Sequence, residues 1–319
     1  MLSEILIVFA IKTVVTVVDT LPTALGRALS RGIVAGLYLF MPRIRAVALR
    51  NLQLAFPEKN EQDRSLIEQR SRVVLAENFY TFCKLPGLLD TQPPHLQGYD
   101  EFREQMRAAR SRAGGKGVII STLHNGCFEL TVQYQCKHDK PVYILARGFG
   151  LPRVDRWWNG RRSQVGNQVF FRKGGYHTLV ELLNQGKDVG VLFDQNVKAN
   201  HATFVKLFGH DVSMTKSIAL AALRTGAPVV FAAGVWMGGN QHRVYHRLID
   251  TELKPGQDYE EKILDICQQL NDANEWVVRK HPEQWFWIHR RFKTRPPGQP
   301  ENIYGSLKGE TDSRRGSTF

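Results

Sequence analysis

The chain has 319 residues, 43% hydrophobic and 10% aromatic, enough to bury a full core and too apolar for a disordered polypeptide. A formal net charge of +13 points to an anionic partner: nucleic acid, an anionic bilayer surface, a phosphorylated substrate or an acidic protein. Cys83, Cys127, Cys136 and Cys267 are scattered, with no metal-type spacing and no disulfide framework, so they read as reduced thiols of a cytosol-facing protein.

In chain order, the first element is the apolar run from Ile5 to Val18, broken by Lys12 and threonines. It is shorter than the roughly 20 residues that cross a bilayer. No small-residue cleavage site follows, which argues against a secretory signal. Arg27, Arg31, Arg43, Arg45 and Arg50 surround a second apolar patch, Ile33 to Met41. Apolar surface beside arginines is what an interfacial anchor requires, and the positive charge would keep the body on the cytoplasmic side. Residues 1–45 are therefore expected to be membrane-anchoring helices; ordinary core helices are the alternative.

From Asp100 to about Arg112 the pattern is a polar helix. Gly114 to Gly117 turn the chain into an apolar strand ending near Ile120. Val142 to Leu145 is a second strand, and Tyr176 to Asn184 a helix ended by Gly186. Val189 to Phe193 reads as a third strand and Met214 to Arg224 as a helix closed by Thr225-Gly226. Val229 to Gly234 and His242 to Asp250 supply further strands, and Tyr259 to about Lys280 a long amphipathic helix. Strand–helix alternation predicts an α/β fold with a mostly parallel central sheet flanked by helices, over residues 46–298. Residues 299–319 are expected to form a polar, disordered tail.

In such sheets, sites form beyond the carboxyl ends of the strands. Three features fall there. His124 and Glu129 follow the first strand; on a continuous helix, five positions turn about 140° and would separate them. A break at Gly126 would let them meet, giving an imidazole oriented by a carboxylate that can make a hydroxyl nucleophilic. Cys127, inside the same motif, reads as a small packing residue. Asp194-Gln195 follow the third strand and offer acceptors and donors to a polar substrate, with turn-capping as the rival role. The third feature is the span from Arg147 to Lys173, rich in arginines, with Trp157 and Trp158 between them. Arginine forks match phosphate oxygens. No nucleic-acid fold signature accompanies them, so no nucleic acid partner is expected.

Together these residues resemble the lipid A biosynthesis acyltransferase family, a branch of the glycerol-3-phosphate acyltransferase superfamily. His124-Asn125-Gly126-Cys127-Phe128-Glu129 looks like its His-x4-acid motif. Gly166 to Arg172 is similar to the second block, Val191 to Gln195 to the third, and Thr225 to Val230 to the fourth. Pro282 to Pro297 resembles the C-terminal signature, and Asn51-Leu52 with Phe56-Pro57-Glu58 the N-terminal block. Cys127 and Phe128 depart from the family's usual Asn and Trp. So do the stretch His201 to Gly209, which lacks a glycine, and Met214 to Ser217.

The resemblance implies an acyltransferase on the cytoplasmic face of the inner membrane. It would move a fatty acyl chain from an acyl carrier protein thioester to a hydroxyl of a lipid A precursor. His124 would be the general base and Glu129 its carboxylate, with backbone amides near Gly126 for the oxyanion. Arg147, Arg162 and Arg172 would bind phosphates, and Asp194 and Gln195 the substrate. No cofactor and no metal is implied. A lysophospholipid, or another glycolipid or amino-acid lipid acceptor, is the alternative.

Overall fold

The computed structural model describes residues 2–85, 87–91, 95–171, 175–300 and 303–305. The N-terminal part is helical: α1 (Leu2–Thr20), α2 (Thr23–Phe40), α3 (Pro42–Ala55) and α4 (Glu61–Lys84). Pro42 opens α3, where its missing N–H costs nothing. Asn60 caps α4 by accepting the Asp63 amide at 2.8 Å, with Glu61 and Asp63 in the first turn and Lys84 in the last, as the helix dipole favours.

The spacing of α2 decides how it packs. Gly26, Ser30, Val34 and Tyr38, one per turn, are buried. A side-chain carbon at Gly26 would come within 3.0 Å of the Tyr80 ring, so glycine sets the close approach of α2 to α4. The opposite stripe, Leu25, Leu29, Ile33 and Leu37, is exposed and runs on to Phe40 and Met41. Among the described side chains of α1, Val15 and Val18 are buried, while Ile5, Leu6, Ile7, Phe9, Val14 and Val17 face outward. Among the described residues no single helix is long and apolar enough to cross a membrane. α2 and α3 pass that test only as a pair, bent by 92°. The boundary expected at residue 45 falls inside α3, whose Val47, Ala48, Asn51 and Leu52 are buried.

A short helix, α5 (Gly87–Thr91), leads to β1 (His95–Gln97) and the alternating region. Its elements are α6 (Tyr99–Arg112), β2 (Ile119–Thr122), α7 (Phe128–His138), β3 (Val142–Ala146), α8 (Pro152–Arg162), β4 (Gln168–Phe171), α9 (Gly175–Asn184) and β5 (Asp188–Leu192). There follow β6 (Ala202–Leu207), β7 (His210–Thr215), α10 (Ser217–Thr225), β8 (Val229–Gly238), β9 (Gln241–Ile249) and α11 (Tyr259–Lys280). Seven strands form one sheet in the order β1-β9-β8-β2-β5-β3-β4. Every neighbouring pair is parallel except β8–β9, so the expected mostly parallel α/β sheet is present.

Strand alternation sorts the core into two layers. Ile119, Val189, Val191, Val229 and Phe231 pack on one face with the helical residues of α9, α10 and α11. Val118, Ile120, Val142, Ile144 and Val230 pack on the other with Phe102 and Met106 of α6.

Two local expectations differ from the structure, and two elements in it were not expected. Met214 and Thr215 belong to β7, and the helix begins at Ser217. The hairpin β6–β7 turns through Phe208 and Gly209 at φ 50° and 77°, both left-handed. Two positive φ values are what a tight hairpin turn needs, but Phe at the first position carries no Asn-Gly signal. The basic span contains the helix α8. Tyr304, placed in the expected tail, is buried, and its hydroxyl donates to Asn51 Oδ1 at 2.6 Å; residues 306–319 lie outside the described ones.

At the amino ends of β2 and β5, the fully buried Asp188 accepts the Val118 amide at 3.1 Å and Arg110 Nε at 2.9 Å. Arg110 also grips Asp139, at 2.7 and 3.1 Å, tying α6 to the end of α7. Removing one partner strands a buried charge. Arg110→Met should therefore cost about 3–5 kcal/mol in urea unfolding. Because this network sits at the sheet edge opposite the strand carboxyl ends, turnover of the molecules that remain folded should change little.

Candidate active site

Register builds the site. β2 and β5 are parallel partners with Thr122 opposite Leu192. Two residues beyond each end come His124 and Asp194, side by side at the carboxyl edge of the sheet. His124 Nδ1–H donates to Asp194 Oδ1 at 2.7 Å. Asp194 Oδ2 accepts the His124 amide at 3.0 Å and the Trp285 indole N–H at 2.8 Å. The carboxylate is 3% exposed, while the His124 side chain keeps 20% exposure. Burial opposes ionisation of Asp194, but the attraction of His124 and the three donated hydrogen bonds outweigh it and hold the carboxyl at about 2. An ionised partner on Nδ1 fixes the tautomer and leaves Nε2 as the free basic nitrogen.

The loop after β2 is held by close contacts. Gly126 has φ 51°, and a side-chain carbon there would lie 2.6 Å from the Gly234 carbonyl oxygen, so only glycine fits. The Gly126 amide donates to the Gln284 carbonyl at 2.9 Å, and the Phe286 amide to the His124 carbonyl at 3.1 Å. Since the Gly126 N–H is used in this way, it is not a free donor for an oxyanion. Asn51 of α3 reaches in from the N-terminal half, donating to the Trp287 and His289 carbonyls at 2.5 and 2.8 Å.

His124 lines a cleft between α2, α4 and the C-terminal segment. Val74, Leu75, Phe128, Phe286 and Ile288 line it together with the polar Ser71, Asn78 and Gln284, and Tyr38 stands at one side. The Phe128 and Phe286 rings flank the imidazole, with centroids 5.2 and 5.9 Å away. Gln195 is exposed beside the histidine, its amide nitrogen 3.4 Å from Nε2.

Glu129 does not orient His124 in this structure. Buried in the first turn of α7, it accepts Arg162 Nε at 3.0 and 3.1 Å and also pairs with Arg162 Nη2. The imidazole's carboxylate is Asp194, read from sequence as a substrate contact. Arg162 accordingly offers only the rest of its fork to a phosphate. Arg147 is exposed just after β3, on the same sheet edge. Arg172 lies outside the described residues. Burial pushes the Cys127 thiol far up, so it stays protonated and is no nucleophile. No cluster of metal-binding side chains occurs among the described residues. Sequence reasoning gave no role to Trp285, His289 or Arg291. Indole, imidazole and guanidinium donors packed into one short segment were the available signal.

The model of the family described as "Bacterial lipid A biosynthesis acyltransferase" matches residues 1–294. The chain belongs to that family. It is 24% identical over 257 residues to the lipid A biosynthesis myristoyltransferase of Escherichia coli K12, covering 80% of this chain and 77% of that protein. It is 26% identical over 277 residues to the lauroyltransferase of the same organism, covering 82% and 83%. The lipid A biosynthesis acyltransferase of Haemophilus influenzae is 23% identical over 260 residues, covering 82% and 78%. As a member of this family, the protein is an acyltransferase.

The depressed acidity of Asp194 gives a signed prediction for this acyltransferase. Its carboxyl titrates near 2 when folded, against about 3.9 when unfolded, so it stabilises the fold fully above about pH 5. That contribution, about 2–3 kcal/mol, is lost as pH falls from about 4 toward 2. Urea melts of Asp194→Asn should show a shallower loss of stability across this window than wild type. Equal slopes would remove Asp194 from the acid transition.

Proposed function

We propose that this acyltransferase moves a fatty acyl chain from an acyl carrier protein thioester to a hydroxyl of a lipid A precursor, with His124 as general base. The observation that carries this reading is the His124–Asp194 pair, with the imidazole at the wall of a cleft. Nε2 takes the acceptor's hydroxyl proton as its oxygen attacks the thioester carbonyl. The tetrahedral intermediate collapses, the carbon–sulfur bond breaks, and the imidazolium returns its proton to the departing thiolate. Asp194 stabilises the imidazolium throughout. The first-turn amides of α7 around Phe128, unpaired by helix geometry, supply donors for the oxyanion. Glu129 acts by fixing Arg162, which with Arg147 and Arg172 binds phosphate groups of donor or acceptor. The names of the relatives support the acceptor class.

The reaction is placed on the cytoplasmic face of the inner membrane, with residues 1–45 as the anchor. The outward stripes of α1 and α2 support this, since exposed apolar area of this extent calls for a nonaqueous partner.

Two experiments test the proposal. Purified enzyme given acyl carrier protein thioester and a lipid A precursor should yield a product heavier by one acyl chain in mass spectrometry. His124→Ala should lower its formation by about 10²- to 10⁴-fold with the fold retained. A folded His124→Ala protein with near-normal turnover overturns the base, and acylation of lysophospholipid alone overturns the acceptor. For the anchor, Leu6→Ser, Phe9→Ser and Phe40→Ser together should reduce flotation with anionic vesicles. High salt alone should release little wild-type protein, because apolar contact is not screened. Complete release by salt would mean that charge alone holds it.

A further inference from the structure

Arg291 is 1% exposed, and no ion pair to a carboxylate forms at it among the described residues. Nη1 donates to the Ser213 carbonyl and, at 3.5 Å, to that of Gln195; Nη2 donates to Asn271 Oδ1 at 3.2 Å. Nε is buried with no partner. Neutral acceptors alone are a poor replacement for water around a cation. Burial brings its pKa down to about 10, while Asp194 and Tyr304 act against that, so the group is charged at neutral pH. Arg291 shares the lining of a small cavity with His124, Asp194 and His289.

We propose that Arg291 is a positioning residue of the acyl transfer: its buried charge shares this cavity with Asp194 and His124 and sets the protonation balance of the pair. The inference rests on the reading of His124 as base. With neutral imidazole, the anion and Arg291 balance; a proton on His124 leaves the buried group with a net positive charge. Arg291 therefore resists premature protonation of the base. The other nearby groups do not take this role. From α7, Glu129 is paired with Arg162. From the C-terminal segment, His289 is kept neutral, its pKa brought down to about 4 by burial, and its Nε2 accepts the Asn196 amide at 2.8 Å. Lys293 acts on His289 from the same segment. Tyr38, from α2, is held protonated by burial, and so is Tyr304, while Asn51 of α3 is neutral.

The test is the pH profile of kcat/KM for wild type, Arg291→Lys, Arg291→Met and Arg291→Gln. The two neutral variants should move the midpoint of the acid limb upward by roughly 0.5–1 pH unit, as loss of a nearby positive charge requires. Arg291→Lys should leave the limb at the wild-type position, with KM on the plateau unchanged in all four. Lost activity with one common limb position means a purely structural role and overturns the proposal. His124→Ala separates the readings: if it is active, the base assignment and this inference both fall. If it is inactive and the limbs coincide, only this inference falls. Should both neutral variants fail to fold, the deciding measurement is the pH profile of Asn271→Asp, which puts a carboxylate on Arg291 Nη2: its acid limb should also move upward, and a limb at the wild-type position overturns the proposal.

Discussion

A carboxylate removed from water needs donors on all its lone pairs, and Asp194 gathers its donors from distant parts of the chain. The end of β5 supplies the acid, the loop after β2 an amide and an imidazole, and the segment after α11 an indole. Much of the surrounding architecture follows from this one requirement. The Gln284–Phe286 stretch bonds back to the His124–Gly126 loop because both must stay in reach of the same oxygens. Asn51 holds the next residues, Trp287 and His289, and Tyr304 holds Asn51, so α3 and the C-terminal segment converge on one point.

The two catalytic-edge carboxylates divide their work by environment. Asp194 meets a titratable partner that still reaches the cleft, so its charge is coupled to proton movement. Glu129 meets a guanidinium, which cannot release a proton, so its charge is spent on geometry. It ties the first turn of α7 to the last turn of α8, and Gln133 reinforces the tie by donating to the Arg162 carbonyl at 2.8 Å. A carboxylate five residues after the histidine therefore shapes the crevice without touching the imidazole.

What the sequence made legible was periodic or local. The apolar strands around Ile119, Val189 and Val229, with glycines at the helix ends, were enough for the parallel α/β sheet. The position of His124 at a strand end followed from the same pattern. The pairing of His124 with Asp194 was not legible, because 70 residues separate them and only the β2–β5 register makes them neighbours. The nearer acid, Glu129, matched the motif, yet the guanidinium that claims it comes from a helix hidden in a run of arginines. The β6–β7 hairpin escaped for a related reason: Phe208 adopts a left-handed turn that its residue type does not advertise.

The C-terminal segment also imposes an order on biosynthesis. Trp285, Trp287 and Phe292 are core residues, although their stretch contains little regular secondary structure. During translation, domains assemble from the N-terminus at about 5–20 residues per second. The apolar α1 and α2 leave the ribosome long before Trp285, the donor that completes the Asp194 site. A nascent protein thus presents its apolar helices well before it has a working centre. The Asp194 site can close only after Trp285 has been made, so shorter nascent chains hold its acid without its full set of donors.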